Sequence, residues 1–290
     1  MQTAMHQLLT TLDLERIEDN VFRGRSPQVG WQRVFGGQVI GQALVAAQRT
    51  VAKDRYIHSI HCYFLRPGNP LLPIDYHVDI LRDGMSFTTR RVVAWQDGQA
   101  IFSLAGSFQV DEIGLTHFMP QPLGIPMPED LVGEKALVNQ IKDSLPDNVK
   151  KYWGRERPVE LRPVSLKHYM SKEPLPPEQN VWLRATGEVP DDRASQAAVL
   201  AYFSDMTLLD TSLFAHGKSI FDPDMQVASL DHSMWFHRPH KLDDWLLYAQ
   251  DSPNSAGARG FTRGSIYARD GSLVASVAQE GLIRQRKIKI

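Results

Sequence analysis

The sequence predicts an α+β protein built from two tandem repeats, each with an antiparallel sheet wrapped around a buried helix. Two helix candidates, GGQVIGQALVAAQRT and DDRASQAAVLAYFSDMTLLDTS, are apolar on nearly every face, so each must be buried all round. Strands with alternating apolar residues are joined by hairpins, a pattern typical of antiparallel sheets with one buried face. The same order of elements occurs twice, which indicates an internal repeat.

The composition is that of a globular protein without a strong charge bias. The chain has 290 residues, 42% of them hydrophobic, and its one cysteine, Cys62, excludes an internal disulfide. A net charge of −1 argues against a main role in coating nucleic acid or an anionic membrane. The start reads as a short amphipathic helix rather than a signal peptide, and no run of 18 apolar residues is present. We therefore expect a cytoplasmic protein with no membrane or nucleic-acid partner.

Proline content and the repeat divide the chain into three predicted parts. Residues 1–115 form the N-terminal repeat, and residues 179–290 form the C-terminal repeat. Between them, residues 116–178 hold ten of the 18 prolines, counting from Pro120 to Pro177. Such a stretch cannot be one long helix or a central strand, because proline removes a backbone donor and fixes its own φ. We interpret it as a connector with one helix in EDLVGEKALVNQIKDSL.

Two pairs of matching segments carry the repeat. SIHCYFLRP at 59–67 matches DHSMWFHRP at 231–239, 172 residues later, and both end in Phe-x-Arg-Pro. WQDGQAIFSLAGSFQ at 95–109 matches ARDGSLVASVAQEGL at 268–282, each with an Asp-Gly turn signal before an alternating strand. We expect the first pair to occupy equivalent strands, and the two units to pack against each other within one chain.

Three polar residues fall where the patterns predict burial. Asp205 shares a predicted helical face with Ala201, and a buried carboxylate is costly unless it is paired or shifts its pKa. Gln279 alternates with Val277 on the apolar face of the last strand, where its amide must find hydrogen bonds. Ser229 lies in VASLDHSMW. Each residue also has a structural interpretation: a helix-end carboxylate, a cross-strand amide, and a small strand residue.

Several segments together resemble the bacterial acyl-CoA thioesterase II family, which is related to peroxisomal acyl-CoA thioesterases. They are RVFGGQVIGQAL, HCYFLRPG, LRDGMSF, LDHSMWFHRP, ARGFTRG and VASVAQEG, and they span nearly the whole chain. The resemblance implies a double hotdog fold and hydrolysis of acyl-CoA to fatty acid and free CoA, with no metal or other cofactor. With it we expect a homo-oligomer, a dimer or tetramer of double hotdog chains.

The resemblance also implies a catalytic trio of Asp205, Gln279 and Ser229. The family commonly has threonine where this chain has Ser229, so the hydroxyl is retained and the methyl group is lost. These residue types permit direct hydrolysis, in which Asp205 deprotonates a water oriented by Gln279 and Ser229. Backbone N–H groups at a helix start would stabilise the oxyanion, and no covalent acyl-enzyme is required.

Two other functions remain open at this point. Hydratases of the hotdog fold resemble one another in an Asp followed five residues later by a His, but the fifth residue after Asp205 is Asp210. A non-catalytic acyl-CoA binding protein would be indicated by loss of Asp205 or Gln279, and both are present. The first repeat has no Asp at the matching place in GGQVIGQALVA, so we interpret it as a decayed half.

The remaining motifs point to structural roles. No G-x-S-x-G nucleophile elbow is present, and Cys62 is predicted to be a small core residue. The glycines of FGGQVIG fit close helix packing better than phosphate binding. On strands, H-x-x-H spacing does not bring two rings together on a metal; the histidines concerned are His58, His61, His237 and His240. The arginines considered for the CoA phosphates, with none assigned to the site, are Arg66, Arg90, Arg91 and Arg263.

Overall fold

The computed structural model describes residues 3–27, 32–133, 136 and 156–286. The helices in these ranges are α1 (Ala4–Leu12), α2 (Gly36–Gln48), α3 (Lys167–Met170), α4 (Arg193–Ser204) and α5 (Thr211–Phe214), with a 3₁₀ helix at Pro128–Asp130. The strands are β1 (Glu15–Glu18), β2 (Val21–Gly24), β3 (Tyr56–Phe64), β4 (Ile74–Asp83), β5 (Phe87–Gln96), β6 (Gln99–Gln109), β7 (Val159–Pro163), β8 (Glu178–Ala185), β9 (Met225–Ser229), β10 (Asp231–Phe236), β11 (Leu246–Ala256), β12 (Arg259–Ala268) and β13 (Leu273–Gln285).

The strands form one antiparallel sheet whose order is the same when read from either edge. From edge to edge it runs β1-β2-β4-β5-β6-β3 and then β10-β13-β12-β11-β8-β7, with β9 added beside β13. In the first half, β3 lies beside β6, the last strand of the meander β4–β5–β6, and β5 and β4 follow outward. In the second half, β10 lies beside β13, the last strand of the meander β11–β12–β13, and β12 and β11 follow outward. The two halves therefore have the same topology, as the repeat in the sequence predicts.

The two halves meet at the pair of strands β3 and β10. His61 lies opposite Ser233, and the pairing runs from Tyr63 with Asp231 to Ser59 with Trp235. The two residues at the centre are 172 apart in sequence, which is the offset between the matching segments. Such a register is what a two-fold axis between equivalent strands produces. The predicted equivalence of these two strands is confirmed.

Helices α2 and α4 lie against each other in the core and are nearly wholly buried. A Cβ on Gly37 would lie 2.4 Å from the carbonyl oxygen of Tyr202, and one on Gly41 would lie 3.3 Å from that of Ala198. The backbones thus approach more closely than any larger residue permits, as predicted for these glycines. Helix α2 packs on β4, β5 and β6, and α4 contacts β3. The predicted class, an antiparallel sheet around a buried helix in each half, is confirmed.

The second helix candidate is shorter than the sequence pattern predicts. Helix α4 ends at Ser204, Asp205 is its C-cap, and Thr207 has a left-handed φ of 66° before α5 begins. The expectation that Asp205 lies within a continuous helical face is therefore wrong. Ser, Asp and Thr close together favour a helix end, because their side chains compete for backbone hydrogen bonds. Asp205 is left at a helix terminus instead, where its side chain faces the other half.

The predicted connector contains ordered structure that packs on the C-terminal half. Strand β7 and helix α3 lie in it, and the indole of Trp182 donates to the carbonyl of Pro126. Ile125 and Leu131 pack against the cluster formed by Trp182 and its apolar neighbours. The helix predicted in EDLVGEKALVNQIKDSL falls largely outside the described residues. The division into 1–115, 116–178 and 179–290 stays a prediction.

The N-terminal helix follows its amphipathic pattern. Thr3 caps α1 by accepting from the backbone N–H of His6, and the buried residues are Met5, Leu8 and Leu12. None of the helices in the described ranges is long and apolar enough to cross a membrane.

Candidate active site

Asp205, Gln279 and Ser229 converge at one point between the two halves. The amide nitrogen of Gln279 lies 3.2 Å from Oδ1 of Asp205 and 2.6 Å from the hydroxyl oxygen of Ser229. The Ser229 hydroxyl lies 3.5 Å from the same carboxylate oxygen. Residues separated by up to 74 positions in sequence thus form one hydrogen-bonded group.

Strand pairing explains why Gln279 and Ser229 meet. Alternation along β13 turns Ala275, Val277 and Gln279 inward, and the side chain of Gln279 is fully buried. Strand β9 pairs with β13 and ends with Ser229 opposite Gly281, which brings its hydroxyl over the amide. The predicted burial of Gln279 on the apolar face is confirmed.

The carboxyl group of Asp205 is crowded by protein, although the residue as a whole is only partly buried. Loss of solvation raises its pKa from 3.8 to about 7, and the negative charge of Asp210 acts in the same direction. Three donors oppose this shift: the backbone N–H of Gly37, the amide of Gln279 and the hydroxyl of Ser229. Near neutral pH the carboxyl therefore exchanges a proton readily.

The N-terminus of α2 forms the other wall of the site. A Cβ on Gly36 would lie 2.6 Å from Oδ2 of Asp205, so the carboxylate rests directly on the helix start. The backbone N–H of Gly37 donates to it. A helix start presents unpaired N–H groups and the positive end of the helix dipole, both of which favour an anion. The sequence analysis attributed these glycines to packing alone; their place at the start of a predicted helix was the available signal.

Behind Gln279 lie two buried residues that the sequence analysis missed. Oε1 of Gln279 lies 3.1 Å from Nδ1 of His232, and Nε2 of that ring lies 2.9 Å from the hydroxyl of Ser204. The side chains of His232 and Ser204 are fully inaccessible to water. Alternation with buried Met234 on β10 was the signal that this histidine faces the core.

The other residues singled out from the sequence have structural partners. Cys62 is buried, donates to the carbonyl of His232, and has its thiol pKa raised well above the usual range by burial. Each histidine of the H-x-x-H pairs lies near a serine hydroxyl or a backbone oxygen; they are His58, His61, His237 and His240. Three of the arginines pair with aspartates of neighbouring segments, namely Arg90, Arg91 and Arg263. Arg66 donates to the carbonyl of Ala100. No group of three or more potential metal ligands occurs among the residues that the structure describes.

The two-fold relation identifies the positions that match the trio in the first half. Gln48 matches Asp205. It lies at the end of α2 and donates to the carbonyl of Ala194 at the start of α4, just as Asp205 lies at the end of α4 and accepts from Gly37 at the start of α2. Strand pairing places Ile57 and Gly106 where the second half has Ser229 and Gln279. The expected decay of the first half is thus visible as the loss of the carboxylate, the hydroxyl and the amide from these three positions.

A cavity of about 820 Å³ lies at this matching position rather than beside Asp205. Its wall includes Gln48, His58, Arg193 and His240. It opens at the N-terminal end of α4, about 18 Å along the helix from Asp205. The trio of acid, amide and hydroxyl does not line this cavity but lies at the other end of the helix. The hydrogen-bonded groups therefore locate the candidate active site better than cavity size.

Comparison with known proteins gives matches over almost the whole chain. A family model described as acyl-CoA thioesterase matches residues 149–282, and one described as the acyl-CoA thioesterase N-terminal domain matches residues 22–109. Acyl-CoA thioesterase 2 of Haemophilus influenzae is 41% identical over 98% of this chain and 99% of its own length. Acyl-coenzyme A thioesterase 8 of Mus musculus is 42% identical over 95% of this chain and 88% of its own length.

Solved structures agree with these matches. An acyl-CoA thioesterase II from Mycobacterium marinum is 40% identical and superposes with a TM-score of 0.79, covering 97% of this chain and 99% of that one. A conserved protein with a hotdog fold from Alicyclobacillus acidocaldarius, 16% identical, gives a TM-score of 0.79 over 97% and 99% of the two chains and supports the fold. The predicted double hotdog fold is confirmed, and the chain belongs to the acyl-CoA thioesterase II family.

Proposed function

We propose that this protein hydrolyses acyl-CoA thioesters to a carboxylic acid and free CoA, with Asp205 as the general base. Membership of the family supports the reaction class, since relatives at 41% and 42% identity are named acyl-CoA thioesterases. The observation that carries the choice of base is a carboxyl group whose pKa is raised to about 7 and which is hydrogen-bonded to an amide and a hydroxyl. A base with a pKa near the working pH is best suited to proton transfer.

In the proposed reaction, Gln279 and Ser229 hold one water beside the carboxyl group of Asp205. The carboxylate takes a proton from this water as its oxygen attacks the thioester carbonyl carbon. The carbonyl oxygen becomes an oxyanion, which we assign to the N-terminal turn of α2, where the positive end of the helix dipole favours negative charge. The C–S bond then breaks, and the CoA sulfur receives the proton that Asp205 had taken. The residues present thus supply every proton transfer, and water supplies the oxygen.

The test is a free-thiol release assay across a panel of acyl-CoAs from short to long chain, with a chelator present. We expect turnover on at least part of the panel, and loss of turnover in Asp205→Asn. The matched control is Gln48→Ala, because Gln48 holds the same position in the first half and has no proposed role in the reaction. Absence of thiol release on every substrate would indicate a binding protein. Hydration of an enoyl-CoA faster than its hydrolysis would indicate the hydratase alternative.

We further propose that the chain assembles into a homo-oligomer, a dimer or tetramer of double hotdog units. Several large apolar side chains on strands of the sheet face solvent: Tyr63, Leu81, Phe87, Trp95 and Trp235. Such exposure is typical of an interaction surface. Light scattering measures the assembly directly, and a monomer at micromolar concentration contradicts this proposal. The cytoplasmic location stays a prediction.

A further inference from the structure

The orientation of the Gln279 side chain decides whether it supports or opposes an ionised Asp205. Its amide nitrogen can donate to the carboxylate and to Ser229, whereas its oxygen can only accept. The two ends of an amide have nearly the same shape, so packing does not distinguish them. A donor on the far side of the amide is needed to keep the oxygen there, and the ring nitrogen of His232 lies 3.1 Å from that oxygen.

His232 can provide this donor only in one of its two neutral forms. Burial lowers the pKa of the ring to about 4, so at neutral pH it carries a single proton. If the proton is on Nδ1, the ring donates to Gln279, and Nε2 accepts from the Ser204 hydroxyl 2.9 Å away. The partner of one ring nitrogen thus sets which nitrogen is protonated. Ser204 and His232 together can form a directed chain of donors that ends at the base.

The opposite arrangement of protons is compatible with a protonated base. The hydroxyl oxygen of Ser204 also lies 2.9 Å from the carbonyl oxygen of Ala201. If the hydroxyl donates its proton to this carbonyl, Nε2 of His232 must donate to the serine oxygen. Nδ1 then accepts, which requires Gln279 to turn its nitrogen toward the ring and its oxygen toward Asp205. Two oxygens about 3 Å apart are compatible only when one of them carries a proton. The histidine tautomer and the charge of Asp205 are therefore coupled.

We infer that His232, held by Ser204, is a positioning residue that orients the amide of Gln279 and thereby keeps Asp205 in its ionised, water-activating state. This inference rests on the proposed role of Asp205 as the base. It assigns no contact between His232 and the substrate, because the ring is inaccessible to water and acts through Gln279.

Other titratable groups around the site are accounted for. Cys62 on β3 and Tyr248 on β11 feel the charge of Asp205, but burial raises both pKa values well above the usual range, so both stay neutral near pH 7. Asp210 adds negative charge and raises the pKa of Asp205. Asp231 is next to His232, and its carboxyl accepts from the backbone N–H of Glu280. The variants proposed below leave these four groups in place.

The test compares variants of His232 that keep or remove the donor. In His232→Asn the amide nitrogen can take the place of Nδ1, whereas His232→Leu fills a similar volume without a donor. We expect kcat of the leucine variant to fall by up to about 100-fold, since a displaced catalytic group can cost that much. The midpoint of its acidic limb should move up by about one pH unit, because a hydrogen bond to a charged group is worth that much. His232→Asn should have a kcat and an acidic midpoint close to those of the wild type.

A double-mutant cycle separates positioning from general damage. In a Gln279→Ala background, His232→Leu should change kcat and the pH midpoint little further, because the residue through which it acts is gone. Thermal unfolding of each variant gives the folded fraction. A leucine variant whose activity follows its folded fraction, with the wild-type pH midpoint, overturns the inference. If this variant does not fold, Ser204→Ala decides, because an unchanged midpoint there has the same meaning.

These results are distinguishable from failure of the proposed function. Full turnover in Asp205→Asn would refute the base itself. Loss of turnover in Asp205→Asn, together with an unchanged pH midpoint in His232→Leu, refutes only the role of His232.

Discussion

Replacement of Asp205 with Asn separates the proposed chemistry from packing. The change is nearly isosteric and keeps one oxygen that can accept from Gln279 and Ser229, while the group that takes the proton is removed. General-base catalysis is worth about 10² to 10⁴ in rate, so kcat should fall by that order. The protein should remain folded, because most of the hydrogen bonds at the site survive.

The same substitution should change how stability depends on pH. The folded protein holds the Asp205 proton up to a pKa of about 7, whereas the unfolded chain releases it at about 3.8. Between these values the folded state binds more protons than the unfolded state, so the free energy of unfolding of the wild type falls as pH rises. A shift of this size corresponds to about 4 kcal/mol. The Asp205→Asn variant has no carboxyl group at this position, so its free energy of unfolding does not fall with pH in this way.

The measurement pairs thiol release with denaturant unfolding from pH 4 to pH 8. Relative to the wild type, the variant should gain free energy of unfolding steadily from pH 4 to about 7 and then level off. An inactive protein with relative stability that rises with pH is the expected result. Wild-type turnover would refute the role of Asp205 as base. A difference in stability that does not vary with pH would refute the raised pKa.

Four further substitutions test the rest of the site. Gln279→Ala and Ser229→Ala should each reduce kcat less than Asp205→Asn does, because the two residues share the orientation of one water. Steady-state kinetics measures this, and a larger loss in either variant contradicts it. Gly36→Ala should reduce kcat by at least about 10-fold, since its Cβ would lie 2.6 Å from Oδ2 of Asp205 and displace the carboxylate. Gln48→Ala should leave kcat and KM within about two-fold of wild type, and a larger effect would indicate that the first half takes part in the reaction.

The repeat could be predicted from the sequence because it depends on local signals. Alternating strands and an Asp-Gly hairpin are specified by neighbouring residues, and the β5–β6 turn has Asp97 and Gly98 at φ 49° and 71°, as such a turn requires. The end of α4 was missed because apolar residues continue beyond it: Leu208 and Leu209 are buried although the helix has ended. Burial by tertiary contacts and helical periodicity produce the same sequence pattern there.

Only part of the candidate site could be predicted from the sequence. Buried polar residues on predicted apolar faces pointed to Asp205 and Gln279, and the resemblance to a family added Ser229. Sequence spacing does not reveal that the start of α2 contacts Asp205, because this contact depends on how two helices from different halves cross. Sequence spacing also does not reveal the partner of His232, since His232 and Gln279 lie on different strands and are 47 positions apart in sequence.

The position of Asp205, the proposed base, gives a reason for keeping a half that lacks the proposed catalytic groups. The carboxylate comes from the C-terminal half, but the N–H group of Gly37 and the close approach at Gly36 come from the N-terminal half. Two-fold symmetry would give two such sites, but one of them has Gln48, Ile57 and Gly106 in place of the carboxylate, the hydroxyl and the amide. The N-terminal half is therefore part of the remaining site through its backbone, which no side-chain pattern records. Neither half alone would contain both the proposed base and the helix start on which it rests.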